Sequence, residues 1–191
     1  MKSALKAFLV ILIIGVTARS VSAYVAARVL SSTQQVAQLK WAHMPIHWAL
    51  NPQRGANVAG SRTLEDVIRA SFSTWQSVST ANVSFVQDAN TAAAAGNEVD
   101  GLNTISTNVG AGVLPPGVVA RTFHVFFIEA GGVDPQGRTA EFPGQVAEAD
   151  ILFSGDVLFN TDGNATDRFD LQSVATHEIG HLLGLDHTGV T

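Results

Sequence analysis

Residues 177 to 187 read HEIGHLLGLDH and place three imidazoles and one carboxylate within eleven positions. If residues 171–183 are helical, His177 and His181 are four apart and stand one turn above each other on one face. Their ring nitrogens can then reach a single ion at about 2.0–2.1 Å, the length of a Zn–N bond. Glu178 flanks that face, near enough to hydrogen-bond a water on the metal without being a ligand itself. Gly184 lets the chain leave the helix at positive φ, a conformation closed to most other residues. The turn then returns His187 as a third ligand. Three protein nitrogens and one water make an open tetrahedral site, the catalytic rather than the structural arrangement. The chemistry this spacing implies is metal-assisted hydrolysis.

A bare HExxH arises by chance in many helices, but here five positions are fixed, the last two a glycine and the histidine that follows it. The motif needs a helix, and the preceding residues supply one. Asp170 is a suitable N-cap, and Leu171, Val174, Ala175, Leu182 and Leu183 form an apolar side that can pack on a sheet.

The pattern HExxHxxGxxH is the signature of the metzincin zinc endopeptidases. The wider string Phe169 to His187 resembles the active-site helix of their matrixin branch, especially its shorter, bacterial-type members. The resemblance extends upstream through residues 45–50 (a first strand), 61–78 (a first long helix), 117–123 (a cleft strand) and 145–153 (the strand before the active-site helix). It implies an α+β, zincin-like domain over residues 40–191. In that fold a twisted, mostly parallel mixed sheet carries two long helices, the second holding HExxH. It further implies one catalytic Zn2+ on His177, His181 and His187, with Glu178 as general base. A protein or peptide substrate would lie extended along the cleft strand, paired with the backbone of Val119 and Ala120, the strand-addition mode of recognition.

Three features set this chain apart from the vertebrate matrixins. Those carry a second, structural zinc, but Arg121 stands where its strand histidine would be, with His124 three residues on, so a structural zinc is not expected. They are held latent by a propeptide cysteine, and this chain has no cysteine. Metzincins also continue past the third histidine into a subdomain with a Met-turn. This sequence stops at Thr191, and its methionines are Met1 and Met44. Two function classes follow: a zinc-dependent endopeptidase, or a truncated, inactive pseudo-protease that binds zinc or an extended peptide. The oxygens of Asp150, Asp156, Asp162 and Asp167 suit Ca2+. No EF-hand-like spacing groups them, and solvated loop acids are the plainer expectation.

The remaining sequence frames the site. Lys2 and Lys6, the apolar run Phe8 to Val16, and Val21-Ser22-Ala23 form a secretory signal peptide over residues 1–23. The expected location is therefore extracellular or periplasmic, with no membrane contact once that segment is removed. Lys2, Lys6 and Arg19 leave with it, so 8 basic residues face 16 acidic ones and the net charge falls from −5 to −8. No basic patch remains to bind nucleic acid. Residues 24–39, rich in Ala, Ser and Gln, are expected to be a mobile lead-in. Ile46, Trp48 and Leu50 alternate as a strand. Thr63 with Asp66 makes a capping box, and apolar residues then recur at helical spacing to Val78, with Trp75 as a core anchor. Residues 82–87, 101–109, 118–128 and 146–153 read as further strands. One domain, acting as a monomer, is the expectation.

Overall fold

The computed structural model describes residues 25–96, 99–163 and 166–187. The expected signal peptide lies outside them. No helix among the described residues is long and apolar enough to cross a membrane.

Along the chain come strands β1 (Val25–Ala26), β2 (Arg28–Leu30), β3 (Val36–Gln38), β4 (Ile46–Leu50) and β5 (Val58–Ala59), then helix α1 (Leu64–Gln76). Strands β6 (Phe85–Gln87), β7 (Thr104–Ser106), β8 (Ala120–Phe126), β9 (Val146–Phe153), β10 (Phe159–Asn160) and β11 (Phe169–Asp170) follow. Helix α2 (Leu171–Leu182) and β12 (Leu185–Asp186) complete the described part. Five strands make the main sheet, in the order β6-β4-β7-β9-β8. All its pairs are parallel except β8 with β9, so the antiparallel strand lies at an edge. This is the α+β, mostly parallel arrangement that the resemblance implied.

The core sits between this sheet and the two helices. Ile46, Trp48 and Leu50 are buried as their alternation requires, and the Trp48 ring stacks on Phe72 of α1 at 4.3 Å between centroids. Helix α1 starts where the capping box places it: the Thr63 hydroxyl accepts the Asp66 N–H at 3.0 Å. It ends at Gln76, earlier than the sequence periodicity suggests. Ser77 closes the last turn onto the Ser73 carbonyl, which leaves Val78 exposed. Trp75 packs closely on α2, because Gly180 has no side chain there; a Cβ at that position would lie 2.9 Å from the indole. The indole N–H donates to the Thr176 carbonyl at 2.8 Å.

Within the expected lead-in, the described residues 25–39 form paired strands. Strand β1 pairs antiparallel with β12, and β2 and β3 form a hairpin. The polar composition concealed the pattern, since pairing uses backbone groups and, of the segment's side chains, Leu39 is buried in the core with Ala27 and Val29 packed against it. Ala27, with Trp41 just beyond the segment, also meets the chain at and just past the end of α2, where the last carbonyls have no partner within the helix. Trp41 donates its indole N–H to the Leu182 carbonyl at 2.8 Å, and the Ala27 N–H donates to the Gly184 carbonyl at 2.8 Å.

Asp150 is likewise not a solvated loop acid. It lies in β9, 4% exposed, and its two oxygens accept the N–H groups of Gly96 and Thr104, each at 2.7 Å. Nearby, Glu148 accepts the Gly101 N–H at 2.6 Å, so two buried carboxylates tie the 96–104 segment to the sheet. Burial, only partly offset by the two N–H donors, pushes the Asp150 carboxyl up to about 7. Its folded value thus lies above the unfolded one of about 3.9. Its contribution to stability is full below that unfolded value and is lost as pH rises through about 7. In urea melts of metal-free protein, the stability of wild type relative to Asp150→Asn should fall by about 2–4 kcal/mol between pH 4 and pH 8. A pH-independent difference between the two proteins would show that folding does not raise the Asp150 carboxyl.

Candidate metal centre

Helix α2 begins at Asp170, whose carboxylate accepts the N–H groups of Gln172 at 3.3 Å and Ser173 at 3.2 Å. That cap sets the phase of the helix, and His177 and His181 then share a face as their spacing demands. After Leu182 the chain turns at Gly184, which has φ +88 and lies directly against the Leu39 carbonyl. Strand β12, held by β1, carries the chain on to His187, whose N–H is accepted by Asp186 at 2.8 Å.

The three imidazoles converge. Their Nε2 atoms stand 3.0 Å (His177 to His181), 3.1 Å (His177 to His187) and 3.2 Å (His181 to His187) apart. Three tetrahedral ligands about 2.0–2.1 Å from one ion would stand about 3.3–3.4 Å apart, within a few tenths of an ångström of this triangle. His181 donates Nδ1–H to the Leu185 carbonyl at 2.9 Å, which leaves its Nε2 as the lone pair facing the triangle. Burial holds the His177 ring below the ordinary histidine value, with the neighbouring His181 adding to the effect, a shift that favours the neutral form a metal ligand needs. Three inward lone pairs this close repel one another unless a cation lies among them. The residues present therefore fit a metal ion bound by three imidazoles with one position open.

Beside the triad, Glu178 is 5% exposed, and its Oε2 accepts the hydroxyl of Thr122 at 2.8 Å. Triad and carboxylate open into a cleft of about 650 Å³, whose far wall is β8 and the residues leading into it. Strand β8 has no neighbour on its outer side in the sheet. In an antiparallel ladder, alternate residues turn their backbone groups toward the partner and away from it. The Ser154 N–H donates to the Val119 carbonyl at 2.9 Å, which turns Val119 toward β9. Ala120 and Thr122 fall on the alternate positions and turn their backbone groups to the open edge. Of Val119 and Ala120, it is Ala120, together with Thr122, whose backbone groups face the open edge.

Two neighbours of the site were missed in the sequence. Thr122 and His124 share a face of β8, and both meet α2. His124, kept neutral by burial, donates Nε2–H to the His181 carbonyl at 2.9 Å. The signal was available in the period-2 pattern counted from Ala120, but only the packing of β8 on α2 gave it meaning.

Among the described residues, the histidine triad is the group that could hold a metal. The four aspartates considered for calcium do not converge. Asp150 is in β9, Asp156 accepts the Gly112 N–H, Asp162 accepts the N–H groups of Ser61 and Arg62, and Asp167 faces Arg168.

Comparison with known proteins finds the same motif in a family of metalloproteases. The matrixin family model matches residues 132–191. Metalloendoproteinase 1-MMP of Arabidopsis thaliana is 29% identical over 154 residues, covering 78% of this chain and 35% of that protein. Karilysin of Tannerella forsythia is 30% identical over 128 residues, covering 66% of this chain and 22% of its own length. Metalloendoproteinase 1 of Glycine max is 63% identical over 35 residues, which are 18% of this chain and 10% of that one. The chain therefore spans about a third or less of the length of the curated relatives it matches. The triad is assembled as the motif requires, and the chain is similar to the matrixins over the stretch, residues 132–191, that holds it.

Proposed function

We propose that this chain is a secreted zinc-dependent endopeptidase that cleaves peptide bonds in extended substrates. The observation that carries the reading is the triangle of Nε2 atoms with a buried carboxylate beside it. His177, His181 and His187 would hold the ion. A zinc ion bound there supplies Lewis acidity and lowers the pKa of a water toward about 7. Glu178, as general base, would take a proton from the attacking water and return it to the leaving amine. Ala120 and Thr122 offer backbone groups on an open edge, to which an extended peptide adds as another strand. Secretion is supported by the charged, apolar and small-residue segments of residues 1–23.

A zinc- or peptide-binding protein without turnover would need the triad but not Glu178. The retention of that carboxylate, buried at the cleft and bonded to Thr122, favours the enzyme. Purified protein should digest casein or a quenched fluorescent peptide. A chelator should lower the rate at least about tenfold, and stoichiometric zinc should restore it. Protein that binds one equivalent of zinc and cleaves nothing would establish the binding reading instead.

A further inference from the structure

The Thr122 hydroxyl lies 2.8 Å from Oε2 of Glu178 and 3.0 Å from the carbonyl oxygen of the same residue. A hydroxyl has one hydrogen to donate, so it serves one of these acceptors at a time. The shorter contact and the charge of a carboxylate favour Oε2. Among the described residues, Thr122 is the side chain that hydrogen-bonds this carboxylate. The last torsion of a glutamate is broad and roughly two-fold, so an unpartnered carboxylate can present either oxygen and turn between them. A donor fixed on a sheet strand removes that freedom.

We propose that Thr122 is a positioning residue for Glu178: its hydroxyl, held by β8, fixes Oε2 and leaves Oε1 free to take the proton of the attacking water. The inference deepens the endopeptidase reading and rests on it. Thr122 also turns its own backbone to the open edge of β8, where a substrate would pair. Substrate pairing and orientation of the carboxylate thus meet in one residue.

Thr122→Val keeps the size and β-branching while deleting the hydroxyl, and Thr122→Ser keeps the hydroxyl while deleting a methyl. The expected result for Thr122→Val is a kcat lower by about 10–100-fold, the scale of a small misplacement of a reacting group. KM should stay within about twofold and zinc stoichiometry should equal that of wild type. Thr122→Ser should recover most of kcat. A readout independent of turnover is the carboxyl 13C resonance of Glu178, identified by its loss in Glu178→Gln. It should move in Thr122→Val and stay near its wild-type position in Thr122→Ser. If Thr122→Val does not fold, Thr122→Ala is judged by the same measurements. A kcat within twofold of wild type, an unmoved resonance, or a Ser variant as impaired as the Val variant would overturn the inference alone. A wild-type protein with no chelator-sensitive turnover would overturn the endopeptidase reading, and this inference with it.

Discussion

Glu178→Gln is expected to lower kcat by about 10²–10⁴-fold, the range that a positioned general base contributes. Zinc content should be unchanged. Glutamine has the same shape, so it fits a position that is 5% exposed. Its amide oxygen can still accept the Thr122 hydroxyl that reaches Oε2 in the wild type. The three Nε2 atoms that would hold the ion belong to other residues. What the substitution removes is the capacity to accept a proton. Peptide turnover measured beside elemental analysis of the same preparation separates these roles. Turnover within about threefold of wild type would refute the assignment of Glu178 as the base, and joint loss of zinc and turnover would show that it is structural.

Gly184→Ala is expected to weaken zinc binding by at least about 100-fold, through a residue that touches no metal. The residue sits at φ +88, where a side chain costs about 1–3 kcal/mol. A Cβ there would lie 2.3 Å from the carbonyl oxygen of Leu39, a contact that cannot persist without backbone movement. What moves is the turn between Leu182 and β12, and with it His187. Two remaining imidazoles leave an incomplete ligand set, and each 1.4 kcal/mol lost is a tenfold loss of affinity. Gly163→Ala is the matched control, since Gly163 also has positive φ, at +101, but no atom lies near its would-be Cβ. Competition with a chromophoric chelator should find zinc affinity lowered in Gly184→Ala and near wild type in Gly163→Ala. Equal effects in the two would mean that backbone strain alone, rather than displacement of His187, governs the site.

The sequence by itself determined what depends on local spacing. Helical period four aligns His177 with His181, an Asp cap starts the helix one residue before Leu171, and a glycine without a Cβ turns the chain toward His187. The strand at Ile46–Leu50 and the capped helix after Thr63 were legible for the same reason, since period and cap chemistry act within a few residues. Only the tertiary structure decided which distant segments meet. Residues 25–39 read as a loose polar stretch because Val25 and Ala26 pair with β12, some 160 positions away, and the rest pair as a hairpin, and backbone pairing leaves little trace in side-chain composition. Asp150 read as a loop acid because a carboxylate in a central strand is tolerated only where folding delivers backbone N–H donors to it. Thr122 and His124 acquired their partners when the edge strand was laid against α2. Register decided which backbone groups of β8 face the cleft, and register is fixed by the partner strand and by the buried face, both of which lie outside the strand's own sequence.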